Sequence, residues 1–209
     1  DGVKGLTTNQ IAQKAEVSVA TLYNLIGSID DILDQLVSAQ SELVAQSFEE
    51  MDKKCPAEKV IDEYVDAQYR FLKSNEQYNR AAQQAIFHNN IANGRSRTSA
   101  AIALNSLDLL ANAVRQYQTS GFIKVSANAD LLAEQMLCAQ ITLLEAWSTN
   151  VLCSERFRLS CSLHFWSLIR AWAEDSLVPV ADNVLLERQQ SIVALDSKRR
   201  EVRESKQAG

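Results

Sequence analysis

Thr7-Thr8-Asn9-Gln10-Ile11-Ala12-Gln13-Lys14-Ala15-Glu16-Val17-Ser18-Val19-Ala20-Thr21-Leu22-Tyr23 is the stretch on which the reading of this chain turns. It holds two helix starts in close succession. Thr7 with Gln10 three residues on has the form of a capping box, in which each residue satisfies the other's backbone N–H. Ser18 stands as the cap of a second short helix, Val19 to Leu25. Ile11, Ala12 and Ala15 supply the inward face of the first helix, and the small Ala12 lets the two helices cross closely. Val17 and Leu22 fill the space between them. Two helices of about two turns, joined by a turn of three or four residues, make a helix-turn-helix. Such a unit offers the N-terminal residues of its second helix to the major groove of DNA.

Working outward, Ser28 with Asp31 caps a third helix. Its apolar stripe runs through Ile29, Ile32, Leu33, Leu36, Val37, Leu43, Val44, Phe48 and Met51, roughly six turns. Helix breakers then become scarce. From Ser28 to Ala208 the only glycines are Gly94 and Gly121, and the only prolines are Pro56 and Pro179. Between them lie long segments of helical period. Pro56 sits where a helix can begin, ahead of a stripe of Val60, Ile61, Tyr64, Val65, Gln68, Phe71 and Leu72. Further helices are expected near 76–92, 98–119, 127–150, 154–176 and 181–205, with Ser126 and Ser154 as caps and Gly121 as a stop. No alternating pattern of useful length occurs, so the expected fold class is all-α. A helix-turn-helix module spans 1–35 and a larger helical domain spans 36–209.

Composition narrows the function classes. With 46% hydrophobic and 22% charged residues over 209 positions, this is a globular chain with a sizeable core. No membrane span and no export signal are legible, so a cytoplasmic location is the expectation. A net charge of −5 argues against a surface that binds nucleic acid throughout, and leaves room for a local DNA-reading patch. Cys55, Cys138, Cys153 and Cys161 have no paired spacing and read as buried, free thiols. Cys161 and His164 lie three apart, but no second pair joins them, so no metal site and no cofactor are expected. No nucleophile elbow, phosphate-cradling glycine loop or H-E-x-x-H accompanies the two histidines, which argues against an enzyme.

The run from Thr7 to Tyr23, with the acidic, leucine-rich stretch Ser28 to Val37 behind it, resembles the DNA-reading segment of the TetR (tetracycline-repressor-like) family. The T-L-Y of the second helix followed at once by a long helix is the most specific part of the likeness. The resemblance implies double-stranded operator DNA, a small-molecule effector of largely apolar character and a homodimer as partners. Thr7, Thr8, Ser18, Val19, Ala20, Thr21, Tyr23 and Asn24 would then face DNA. An effector would sit among the helices at 56–92, 98–119 and 127–150. There Tyr64, Phe71, Phe87 and Trp147 offer apolar walls, and Gln68, His88, Asn105 and Gln140 offer polar handles. The dimer would use the helices near 127–150 and 154–176, the second because Phe157, Phe165, Trp166 and Trp172 make it apolar on more than one side.

Four departures from the family pattern stand out. The family's first helix would lie before Asp1. Glu16 holds the turn position where glycine is usual; a positive φ there would cost about 1–2 kcal/mol. Leu25 and Ile29 stand where the family has a histidine and a lysine on phosphates. Residues 1–35 carry Lys4 and Lys14 against Asp1, Glu16, Asp30, Asp31 and Asp34, a balance of −3. The functional expectation is a transcriptional repressor released from its operator by the effector. The alternative is a ligand-binding helical dimer with weak or lost DNA binding.

Overall fold

The computed structural model describes residues 7–28, 31, 35, 55–93 and 97–207. Its regular structure is helical, as the all-α expectation requires. Helices α1 (Thr8–Lys14) and α2 (Val19–Leu25) pack on each other. Both starts form as read. The Thr7 N–H donates to Gln10 Oε1 at 2.9 Å, and the Gln10 N–H donates to Thr7 Oγ1 at 3.3 Å. Ser18 Oγ accepts the Thr21 N–H at 3.0 Å. Ala12 and Leu22 are buried between the helices, with Ile11 and Val17 half-buried beside them. Ala15 is exposed, contrary to its expected inward place, because it is the C-cap of α1 and the chain has already begun to turn away.

The reversal between α1 and α2 passes through Glu16 at φ 56°, in the left-handed region. A non-glycine residue there costs about 1–2 kcal/mol relative to the right-handed form, partly offset by the freedom a glycine would lose on folding. Glu16→Gly is therefore expected to stabilise the chain by about 1 kcal/mol. Chemical denaturation is the check, and an unchanged or lower midpoint would count against a strained turn. After α2 the chain turns at Gly27, φ 97°, where an added Cβ would meet the Asp31 carboxylate. Ser28 and Asp31 cap each other, with Ser28 N–H to Asp31 Oδ2 at 2.7 Å and Asp31 N–H to Ser28 Oγ at 3.2 Å. Asp31 and Gln35 are helical; the rest of the helix expected over 29–53 lies outside the described residues, Ile29 included.

A short 3-10 turn, Ala57–Lys59, leads from Pro56 into α3 (Val60–Ser74), and α4 (Glu76–Asn93), α5 (Arg97–Thr119), α6 (Ala129–Ser148), α7 (Ser154–Ala171) and α8 (Val178–Gln207) follow. The α3 stripe read from sequence is the buried stripe, with Phe71 half-buried at its edge. Helix α6 packs on α4, α5 and α7; α7 packs on α3, α6 and α8; α8 packs chiefly on α7. Among the described residues, Trp147, Trp166, Tyr64, Tyr117, Phe157 and Phe165 are the largest side chains closed off from solvent. Two polar tips inside this core find partners. Trp166 Nε1 donates to Asp62 Oδ1 at 3.0 Å, and Tyr117 Oη donates to the Glu58 carbonyl at 2.7 Å. Desolvation raises the Asp62 pKa above the ordinary carboxylate value. Gly121, φ 73°, stops α5, and an isolated bridge between Ile123 and Ala173 pins the loop that follows to the loop after α7.

Several local expectations need correction. The cap of α6 is Asn128, whose side chain accepts the Leu131 N–H at 3.1 Å, in place of Ser126. Ser154 is the first residue of α7 and its hydroxyl serves the Trp147 indole instead, accepting Nε1–H at 2.9 Å. The aromatic residues that make α7 apolar on more than one side are consumed within the chain, because α3, α6 and α8 cover three of its faces. Phe157, Phe165 and Trp166 are buried, and only Trp172 is exposed. All four cysteines are free, but Cys161 alone is buried; Cys55 and Cys153 are half-buried and Cys138 is exposed. Among the described residues no group of three His, Cys, Asp or Glu side chains is placed to hold a metal ion, and no helix is long and apolar enough to cross a membrane.

Candidate functional site

The outer face of α2 is built by the burial of Leu22. With that side chain turned to α1, the helix period sends Ala20, Thr21, Tyr23 and Asn24 to solvent, with Val19 half-buried and the cap Ser18 exposed. Tyr23 is 51% exposed and Leu25 72%. Ser18 Oγ and Thr21 Oγ1 stand 2.7 Å apart, so one hydroxyl proton is spent between them and the other is free to donate outward. At the start of α1, the capping box uses the N–H groups of Thr7 and Gln10. The N–H groups of Thr8 and Asn9 are the first-turn donors that the box leaves for an anion. The only charged side chains over 7–28 are Lys14 and Glu16, so this face carries no net charge.

A second constellation lies inside the helical domain. Tyr64 and Gln68 sit one turn apart on α3, on the same buried face. The Tyr64 hydroxyl donates to Gln140 Oε1 of α6 at 2.9 Å. Ser106 of α5 is within hydrogen-bonding reach of the same hydroxyl. Burial pushes the Tyr64 hydroxyl and the nearby Cys161 thiol well above their ordinary pKa values, so both are protonated at neutral pH. Trp147 is buried at the end of α6 under the Arg80 guanidinium, 4.4 Å from the ring centre. Phe71 and Phe87 are half-buried.

The eight polar and aromatic positions named from sequence thus divide. Tyr64 and Gln140 meet, and Gln68 lies beside them along α3. Trp147 is held two turns further along α6, in contact with Arg80 and Ser154. His88 lies on α4, and its side chain is outside the described residues. Asn105 is exposed, and the inward residue at that level of α5 is Ser106. The signal for Ser106 was present, since it stands four residues before the buried Leu110 and shares its face. Arg80 had no sequence signal, because nothing local shows that its guanidinium folds across α6.

No family model and no curated protein sequence matches the chain. Solved structures do. SmeT, the repressor of the Stenotrophomonas maltophilia multidrug efflux pump SmeDEF, superposes with a TM-score of 0.65 at 15% identity, over 83% of each chain. A protein with unknown function from Rhodococcus sp. RHA1 superposes with a TM-score of 0.60 at 20% identity, over 83% of this chain and 88% of that one. At such identities the likeness is one of architecture, and what it establishes is that this chain shares the all-α fold of these two structures.

Proposed function

We propose that this chain is a DNA-binding transcriptional regulator, a repressor released from its operator by a small-molecule effector. The observation that carries the proposal is the doubly capped helix pair, with Leu22 turned inward and Ser18, Ala20, Thr21, Tyr23 and Asn24 turned outward on one short helix. In this reading α2 enters the major groove. Val19 and Ala20 offer apolar contact to a thymine methyl, Tyr23 donates to phosphate, and Asn24 reads a base edge. Thr7 and Thr8 approach phosphate at the start of α1. The location is cytoplasmic, with the operator, and the chain works by binding and not by catalysis.

Operator binding by a homodimer requires the two recognition helices to sit about 34–36 Å apart, so a small tilt loses register. The effector acts by favouring the state with the wrong spacing; a 100-fold preference is worth about 2.7 kcal/mol. The effector is placed among Tyr64, Gln68, Phe71, Phe87, His88, Gln140 and Trp147, with Ser106 taking the part first given to Asn105. For the dimer, α7 now rests on the family resemblance alone, since its aromatic residues are covered within the chain, and α8 suits the second place better than α6. Helix α6 already has three neighbours, whereas α8 spans 30 residues against one chief neighbour. Leu186 and Val193 are exposed one heptad apart on its far side.

The alternative, a ligand-binding dimer with weak DNA binding, is favoured by one observation: the exposed face of α2 has no lysine or arginine. Two substitutions separate the readings. Tyr23→Phe should weaken binding to all sequences alike, by about 1 kcal/mol. Asn24→Ala should relax preference at one base pair, by about 1–3 kcal/mol. The salt dependence should be shallow, for want of cations. Gel-shift titrations on cognate and scrambled duplexes are the check; if both variants bind as the parent does while effector binding persists, the sensor-only reading replaces the regulator.

A further inference from the structure

The buried carboxamides of α3 and α6 say what kind of molecule the helical domain recognises. Gln68 is 8% exposed and Gln140 4% exposed, so both side chains are more than nine-tenths out of water. Gln140 Oε1 accepts the Tyr64 hydroxyl, which leaves its amide N–H groups to find another acceptor. Gln68 has no hydrogen-bond partner among the described residues. An amide left unpaired in a core is costly, and a native fold keeps such a group where something other than packing needs it. Tyr64 fixes the geometry: one turn before Gln68, it orients the Gln140 amide by holding its oxygen.

Among the described residues no compensating charge acts on the Tyr64 hydroxyl. The groups that act on the Tyr64 hydroxyl are the Gln140 and Ser106 side chains and the Cys161 thiol, with no carboxylate, ammonium or guanidinium among them. Asp62, the carboxylate two residues before Tyr64, is taken up by Trp166 and Ser162. A charged ligand group entering here would lose its hydration without gaining a counter-charge. A neutral acceptor such as a carbonyl or hydroxyl oxygen would lose less and would satisfy amide N–H groups that are otherwise unpaired.

We propose that the ligand recognised at Tyr64, Gln68 and Gln140 is an uncharged, largely apolar molecule carrying a carbonyl or hydroxyl oxygen, which accepts hydrogen bonds from the Gln68 and Gln140 amides. This rests on the effector-site reading and narrows it to a chemical class. Cationic and anionic amphiphiles are disfavoured, because among the described residues no charged group acts on the Tyr64 hydroxyl that joins the pair.

The test uses three fluorescent probes of similar size on the whole protein: prodan (a neutral ketone), proflavine (a cation) and anthracene (a hydrocarbon). Prodan is expected to bind at least tenfold more tightly than proflavine. Gln68→Leu should weaken prodan about tenfold and leave anthracene unchanged. The same variant should melt at a higher temperature than the parent, since it removes an unpaired buried amide; a merely structural glutamine would lower the melting point when replaced. Gln68→Glu, of the same size, should shift preference toward proflavine, and keeps the test open if the leucine variant folds poorly. Proflavine binding as tightly as prodan and depending on Gln68 would overturn the uncharged class while leaving the effector site standing. Probe binding indifferent to both Gln68 variants would remove the site itself, and no binding of any probe would remove the effector reading together with this inference.

Discussion

Leu22→Asp is expected to abolish operator binding while the helical domain stays folded. Leu22 and Ala12 are the two buried side chains over residues 7–28, so among the described residues the core of the α1–α2 pair is chiefly their contact. A carboxylate placed there is left without a partner, at a cost of several kcal/mol, more than so small a contact can supply. Deprived of that contact, α1 and α2 are 7-residue helices, too short to persist alone. The expected readout is a loss of DNA affinity beyond 100-fold on every sequence, with little change in the main thermal transition. Leu22→Met, which keeps volume and apolarity, should bind nearly as the parent does. A Leu22→Asp protein that still shifts the operator would mean that α2 is not held by α1 in the way the structure indicates.

Arg80→Ala carries the largest expected loss of stability in the helical domain. The guanidinium lies over the Trp147 ring and bonds to the Trp147 carbonyl, and it reaches Glu76 Oε1 at 2.7 Å and the Leu152 carbonyl at 3.4 Å. It therefore ties α4 to the C-terminal end of α6, where carbonyls have no partner within the helix. Gln84 assists from the next turn, donating to the Ser148 carbonyl at 2.5 Å. The Arg80 side chain is only 12% exposed, so its removal opens a gap over the Trp147 ring and takes a charge-assisted donor from the Trp147 and Leu152 carbonyls and from Glu76, which keeps Lys73. A loss of about 2–4 kcal/mol is expected, read as a fall of roughly 5–15 °C in Tm. Arg80→Lys should recover little, because an ammonium cannot reproduce the planar fork over the ring.

The same knot sets an acid response. Glu76 has its pKa lowered from 4.5 to about 2, first by the hydrogen bond from Lys73 and then, against desolvation, by Arg80. A depressed carboxylate pKa contributes stability that is fully present above the unfolded value and is lost as pH falls through the folded value, here between about 4.5 and 2. Arg80→Ala should weaken this acid dependence without removing it, since Lys73 remains.

Local chemistry made the helical fold legible. Thr7, Ser18 and Ser28 announce three helix starts by rules that depend on three or four neighbouring residues, and all three caps form. The α3 stripe is legible for the same reason, as one face of a regular helix. What depends on distant packing was harder to read. Whether α7 is apolar for a partner or for its own chain turns on how many helices cover it. Helices α3, α6 and α8 do so, which the sequence of α7 cannot show. The site divides along the same line. Gln140 is legible as a polar handle for the site, but its tie to Tyr64 spans 76 positions. Asn105 stands out for its chemistry alone, where the helical phase from Leu110 points to Ser106.

The central claim, that the exposed face of α2 reads DNA, is tested most directly by selecting duplexes from a random pool with the purified protein and sequencing what is retained. The account predicts enrichment of a two-fold symmetric site, with half-sites about one helical turn apart or a multiple of it. That enrichment should disappear with Leu22→Asp and broaden at one position per half-site with Asn24→Ala. A pool that stays random with the parent protein, while prodan still binds the helical domain, would contradict it.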